Sequence, residues 1–390
     1  MLHVLYLVHD VSDPAVRRRV IMLKAGGARL TLAGFRRTAE PVEDVEGLKP
    51  VDLGPTRDGR FAQRLGAVAK AAASISASLK GVPAPDVVMA RNLEMLALAQ
   101  RARSAFGSAA PVVYECLDIH RLVLRDDLVG IGLRGVERML GRNVKLLLTS
   151  SPAFVRQYFQ RFSQIDAPIE LVENKQLDLA TDAAQPVSGP PVEGPPWRIG
   201  WFGALRCRRS LGLLASFTRA SDGRFEAVMR GRPSLTEFPD FHGFVASEPH
   251  LKFMGAYRNP EDMAGIYGQV HFSWAIDFFE EDQNSKWLLP NRLYEGCRFG
   301  AVPIAMAETE TANFLDRQGV GVILREPTQE ALTEALSGMT AERYEVLRSS
   351  VLARDPKTWS CDRSDCRALV AMLERVASDS RAGATGAIAA

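Results

Sequence analysis

Residues 284–305 read Asn-Ser-Lys-Trp-Leu-Leu-Pro-Asn-Arg-Leu-Tyr-Glu-Gly-Cys-Arg-Phe-Gly-Ala-Val-Pro-Ile-Ala, and the rest of the chain is organised around them. Pro290 suits the first position of a helix, where its missing N–H is not needed, and Gly300 suits the residue just past a helix end. Together they predict a helix over residues 290–299. On it Arg292 and Glu295, three apart, are neighbours on one face, while Leu293 and Cys297, four apart, form an apolar pair on another. The apolar run at 302–305 follows at once as a buried strand, so the unit is a polar loop, a helix and a parallel strand. A helix N-terminus beside an arginine is a ready site for phosphate. Taken alone, the spacing of Arg292 and Glu295 favours a solvated surface ion pair, which is common and weak.

The whole string changes that balance. Pro-Asn-Arg-Leu-Tyr-Glu-Gly at 290–296, followed by Phe-Gly-Ala-Val-Pro-Ile-Ala at 299–305, resembles the donor-nucleotide signature of GT-B glycosyltransferases of the bacterial surface-polysaccharide type. The resemblance implies that Arg292 meets the donor diphosphate and that Glu295 holds the ribose hydroxyls, with Asn284 and Ser285 adding to the diphosphate site. Asp-Pro-Ala-Val-Arg-Arg-Arg-Val at 13–20 looks like the opening helix of many such enzymes. In the resembling enzymes a Gly-x-x-Arg/Lys turn also meets the donor phosphates; here it is carried by Gly203 and Arg206, with Arg208 and Arg209 as further candidates. Many retaining members place a second glutamate eight positions before the ribose glutamate. Trp287 stands there instead, so the stereochemical outcome is open. The chain is closer to members with an Asn-Ser-x-x-x-x-Pro-Asn-Arg/Lys-Leu-x-Glu pattern, and is distantly similar to the xanthan glucuronosyltransferase.

At 390 residues the chain is long enough for two domains, each with a sizeable core, and 46% hydrophobic with 24% charged residues excludes a fibrous or disordered chain. The cysteines, Cys116, Cys207, Cys297, Cys361 and Cys366, are scattered, which predicts neither a disulfide framework nor a zinc site and fits a reducing cytoplasm. The N-terminus carries no basic leader and no run approaches a membrane span, so a cytoplasmic protein is expected. Residues 1–150 hold 22 Lys+Arg against 15 Asp+Glu, leaving the remainder net acidic. Such asymmetry suggests contact between the first half and an anionic membrane or a phosphorylated acceptor. The basic residues are not interleaved with aromatics, which argues against nucleic acid.

Read in order, residues 2–8, 14–24 and 29–34 form a strand, a helix capped by Ser12 or Asp13, and a strand, the opening of a doubly wound fold. The glycine-rich loop of dinucleotide enzymes is absent. An alanine-rich helix over 61–79, with Arg64, Lys70 and Lys80 and the positive loop 56–60 before it, is either a solvated face or a membrane-facing patch. Strands are expected at 86–90, 112–115, 144–149 and 169–172 in the first half. In the second they are expected at 197–202, 225–229, 251–254 and 270–275. The proline- and glycine-rich stretch between the halves reads as a linker. The predicted architecture is α/β of GT-B type: two doubly wound Rossmann-like domains facing across a cleft, with a C-terminal helix crossing back to the first. The boundaries are 1–175 for the acceptor domain, 176–196 for the linker and 197–357 for the nucleotide-sugar domain, followed by a crossover helix in 358–377 and a disordered tail at 378–390.

A transferase must stabilise the departing diphosphate, and arginines with helix N-termini do this without a metal. No cofactor is expected, and the acidic loop cluster Asp277, Glu280, Glu281 and Asp282 lacks the imidazole support of a metal site. An inverting enzyme also needs a base on the acceptor side. Asp118, at the carboxyl end of a first-domain strand, is the first candidate and His120 the second; each is also a plausible loop or capping residue. His9, Arg91 and Asn92, in the strand-to-helix loops, are candidate contacts for the sugar or acceptor. The expected function is transfer from a nucleotide sugar, UDP-sugar favoured, to a lipid-linked or oligosaccharide acceptor in surface polysaccharide synthesis. A sugar-nucleotide epimerase and a noncatalytic assembly partner are the competing classes.

Overall fold

The computed structural model describes residues 1–56, 61–107, 110–162, 164–180, 193–281 and 284–388, excepting the side chains of 61, 62 and 383–388. The chain forms two units, Met1–Val172 with Asp362–Ala390, and Glu173–Cys361. Among the described residues no helix is long and apolar enough to cross a membrane.

The first unit contains β1 (His3–Val8), β2 (Arg29–Arg36), β3 (Val51–Pro55), β4 (Val87–Arg91), β5 (Val112–Cys116), β6 (Val144–Thr149) and β7 (Ile169–Leu171). They form one parallel sheet in the order β3-β2-β1-β4-β5-β6-β7. Every residue of β1, β4 and β5 is buried, as continuous apolar runs require when helices cover both faces. The order reverses between β1 and β4, which makes their carboxyl ends the place where a ligand collects. Helix α1 (Pro14–Ala25) is capped by Asp13, whose carboxylate accepts from the Ala15 amide at 2.8 Å. Helices α2 (Phe61–Ser78), α3 (Leu93–Ala105) and α4 (Leu128–Gly141) follow.

Sequence periodicity did not find β3 or α4. The former is a half-exposed edge strand containing Gly54 and Pro55, and the latter carries four glycines, which lower helix propensity. The last helix, Arg363–Ile388, belongs to the first unit and extends through most of the expected tail, since no proline stops it. It lies so close to the end of α1 that a Cβ at Gly26 would stand 2.2 Å from the Cys366 carbonyl oxygen.

The second unit contains β8 (Gln176–Leu177), β9 (Trp197–Leu205), β10 (Phe225–Pro233), β11 (Leu251–Phe253), β12 (Phe272–Trp274), β13 (Val302–Met306), β14 (Val322–Leu324) and β15 (Ser360–Cys361). Six are parallel in the order β11-β10-β9-β12-β13-β14, which repeats the winding of the first unit with its reversal between β9 and β12. The expected linker begins differently: β8 pairs with β15, so residues 176 and 177 are part of this unit. Pro186, Gly189, Pro190 and Pro191 lie outside the described residues.

Strands β9 and β10 also run further than expected, with Gly203 and Gly231 as register partners. Both have positive φ, 107° and 130°, and a Cβ on Gly231 would stand 1.9 Å from the Gly203 carbonyl oxygen, so the second position admits only glycine.

Candidate active site

The predicted helix spans Asn291–Arg298, with Pro290 as its N-cap and Gly300 in positive φ just past its end. Leu293, Tyr294 and Cys297 bury one side in the core formed with Ala305, Leu315 and Val351. Gly296 sets its height above the sheet: a Cβ there would stand 2.5 Å from the Cβ of Ser273 on β12, and the Ser273 hydroxyl donates to the Arg292 carbonyl at 2.9 Å.

Arg292 and Glu295 are not a solvated pair. Glu295 is 6% exposed, and its carboxylate accepts from the Asn259 amide and from the Tyr267 hydroxyl, each at 3.2 Å. Burial first, and then the Glu295 charge, pushes the Tyr267 hydroxyl well above its ordinary pKa, so it remains a donor. Tyr257 is raised for the same two reasons, and its hydroxyl is the closest group to a Cβ built at Gly203, at 3.8 Å.

The Arg292 side chain is 11% exposed and donates to the Ile276 carbonyl at 3.3 Å, while its Nε is buried without a hydrogen-bond partner. Its Nη2 lies 3.9 Å from Asp277, and Arg206, arriving from the end of β9, places its own Nη2 3.5 Å from the same carboxylate oxygen. Arg206 also stacks over Phe279 at 4.4 Å from the ring centroid. Two guanidiniums from opposite sides of the strand-order reversal therefore meet at one carboxylate.

The remaining members of the acidic loop are separately engaged. Glu280 accepts from the Asn284 side-chain amide at 2.9 Å, and its backbone N–H donates to the Ser285 hydroxyl at 2.9 Å. Glu281 pairs with Arg209, Arg208 donates to the Glu237 carbonyl, and Asp282 lies outside the described residues. Asn284 and Ser285 thus hold the loop that carries Asp277.

In the first unit, the carboxyl ends of β1 and β4 bring His9 and Asn92 together. The Asn92 side-chain amide lies 3.4 Å from His9 Nδ1, and His9 Nε2 lies 3.4 Å from the Asp13 carboxylate. Burial raises the pKa of Asp13, but His9, Arg91 and the Ala15 amide outweigh it and hold the group well below the usual carboxylate range. Asn92 sits at φ 69° and ψ 166°, a region nearly reserved for glycine, so strain is stored where the loop presents its amide.

Arg91, a candidate sugar or acceptor contact in the sequence, is instead buried in a network below that loop. It donates to Glu115 at 3.1 Å, and Arg19 and the Tyr6 hydroxyl donate to the same carboxylate at 2.5 Å each. Asp118 is exposed in the loop after β5. His120 caps the short helical turn Arg121–Leu124, accepting from the Leu122 amide at 3.3 Å, and its Nε2 is 3.4 Å from Arg64.

Over 377 residues the sequence is 56% identical to the succinoglycan biosynthesis protein ExoL of Rhizobium meliloti strain 1021, an alignment covering 96% of this chain and 93% of ExoL. The chain belongs to the ExoL family. No protein-family model matches it. The fold of this ExoL-family chain is similar to that of HepE from Anabaena, solved with UDP and glucose (TM-score 0.65, 12% identity, 95% of this chain and 99% of that one). It is also similar to a glycosyltransferase from Rickettsia africae (0.64, 15%, 96% and 98%) and to sucrose-phosphate synthase from Thermosynechococcus elongatus (0.63, 14%, 100% of both). The fold is GT-B.

Sequence reasoning on this ExoL relative missed Asn259, Tyr267 and the position of Asp277. Asn259 and Tyr267 precede Glu295 by 36 and 28 residues, and no local spacing links them to it. The only signal for Asp277 was its membership of an acidic loop, which reads as solvated or metal-binding.

Proposed function

We propose that this ExoL-family protein transfers a sugar from a nucleoside diphosphate sugar, UDP-sugar favoured, to a lipid-linked or oligosaccharide acceptor in exopolysaccharide synthesis. It works without a metal, at the cytoplasmic face of the membrane. The observation that carries this reading is the convergence of Arg206 and Arg292 on one anionic point beside the buried Glu295. The Asn259 and Tyr267 bonds hold one carboxylate oxygen each, and Glu295, fixed in this way, accepts from the ribose hydroxyls. The diphosphate takes the place of Asp277 as partner of the two guanidiniums, whose fixed charge stabilises the departing group. The Arg292 Nε, which has no partner, supplies a further donor. Support for the donor class comes from HepE, a protein of the same fold solved with UDP and glucose, and support for the pathway comes from the name of ExoL.

On the acceptor side Asp118 removes the hydroxyl proton, while His9 and Asn92 contact the sugar or acceptor. Purified protein incubated with UDP-sugars should release UDP slowly. Isomerised sugar would instead identify an epimerase, and binding without turnover an assembly partner. Asp118→Asn should lower turnover by about 10²–10⁴-fold with donor affinity nearly constant. If His120→Ala shows that pattern and Asp118→Asn does not, His120 is the base. If neither slows turnover, the leaving phosphate takes the proton, and the anomeric configuration of the product will be retained.

A further inference from the structure

Helix α4 is packed with its polarity reversed. Its inward face consists of Gly130, Gly141 and Glu137, all buried. The Glu137 carboxylate accepts from Tyr114 at 2.8 Å, Tyr158 at 2.5 Å and Gln164 at 2.8 Å. The helix sits tight on this face: a Cβ at Gly130 would be 2.0 Å from the Arg125 carbonyl oxygen and one at Gly141 2.3 Å from Ile165. Leu133 and Leu140 are half-buried, and the other apolar residues point outward. Leu128 is 86% exposed and Met139 56%, and Val129, Ile131 and Val136 are exposed with them.

At about 100° per residue, Leu128, Met139 and Val136 fall on one stripe with Val129 and Ile131 at its flanks. Gly132 and Gly135 lie within the stripe, and a Cβ at either meets nothing within 4 Å. Single exposed aliphatics are ordinary, but a helix that buries its carboxylate and exposes a contiguous apolar stripe is not built for water on that side.

We infer that α4 docks this protein on an anionic lipid bilayer. The helix itself supplies complementary charge: Arg138 and Arg142 fall beside Ile131 at helical spacing and are exposed, and over residues 121–145 Arg121, Arg125 and Lys145 are also exposed, against Asp126 and Asp127, the latter paired with Arg125. A protein interface of standard size takes roughly 20–30 residues from each partner, whereas one outward helical face offers about eight, and a second copy would set like-charged rims near each other. A helix about 21 Å long lying in the plane of a membrane needs no more than this, with aliphatic side chains at the acyl boundary and arginines at the phosphates. The sequence offered α2 for this role, as the alternative to a solvated face. There, among the described side chains, Leu65 is exposed without a stripe around it, and Arg64 faces Glu94 and His120. The inference stands apart from the donor-site reading.

The test is sedimentation of the full chain with phosphatidylcholine vesicles, with and without phosphatidylglycerol. The wild type should bind the anionic vesicles, and Ile131→Glu with Met139→Glu should weaken that binding by at least about tenfold. Both positions are exposed, so the fold should survive, as thermal melting will show. Val346→Glu, an exposed aliphatic of the second unit, should bind like the wild type. Val136→Trp should shift its emission to the blue when anionic vesicles are added. No vesicle binding by the wild type, or equal binding by the double variant, overturns the inference. So does light scattering that finds a wild-type dimer and a monomeric double variant, because a second copy then covers the stripe. UDP binding measured on the same samples reports the donor site separately.

Discussion

Glu295 and Arg292 stand one helical turn apart and meet different surroundings: the carboxylate is held by Asn259 and Tyr267, the guanidinium by Ile276 and Asp277. Glu295→Ala should weaken nucleoside diphosphate binding by about 1.5–3 kcal/mol, the range for hydrogen bonds to a charged group, and calorimetry will measure it. Unchanged affinity would leave Glu295 a purely structural acid that satisfies the buried Tyr267. Arg206→Ala and Arg292→Ala should each cost far more for UDP than for uridine, because their partner is the diphosphate. Arg292, 11% exposed, should lose more than Arg206 at 43%, since solvent screens the second. Equal losses for nucleoside and nucleotide would remove both from the diphosphate. The spacing of Arg292 and Glu295 was legible in the chain. Asp277 as the neighbour of Arg292 and Arg206 was not, because a loop acid acquires its partners only when two strands set the ends of two loops side by side.

The helix Asn291–Arg298 acts as one rigid carrier, and Gly296 fixes its distance from β12. Gly296→Ala places a methyl group 2.5 Å from Ser273 Cβ, so the helix must lift. Overpacking of that kind costs about 1–3 kcal/mol, and it should lower both the urea midpoint and UDP affinity, since Arg292 and Glu295 move with the backbone. Gly212→Ala is the control. Gly212 also lies within a helix, Arg208–Ala220, but a Cβ there meets nothing within 4 Å, and the change should stabilise by up to about 1 kcal/mol. A Gly296→Ala protein as stable as that control would separate the helix height from the site.

Across the first unit, the Glu115 carboxylate ties β1, α1, β4 and β5 together through Tyr6, Arg19 and Arg91. Burial pushes its pKa up, but Arg19 and Arg91 outweigh burial and hold it below the ordinary 4.5. A folded pKa below the unfolded one means that the stability is fully present above pH 4.5 and is lost as pH falls through the folded value. Denaturant melts should therefore show the first unit weakening in acid below that point, and Glu115→Gln should flatten the dependence. Glu115→Ala leaves two guanidiniums buried without their carboxylate and should cost about 3–5 kcal/mol at neutral pH.

The alternation of strands and helices in both units, a cap at Ser12 or Asp13 for α1, and a helix carrying Arg292 and Glu295 three apart are legible in the chain. Each of these is written in a local period or in a residue at a helix end, and short-range sterics enforce them. Tertiary structure alone decided what those side chains meet. Arg91 and Asn92 are adjacent in the chain, yet one is buried on Glu115 while the other turns to His9 through a strained backbone. Glu137 and Met139 are two residues apart on α4, yet the carboxylate is inside and the thioether outside. An inward carboxylate is tolerated only because Tyr114, Tyr158 and Gln164 converge from other elements to satisfy it, and that convergence exists only in the folded sheet.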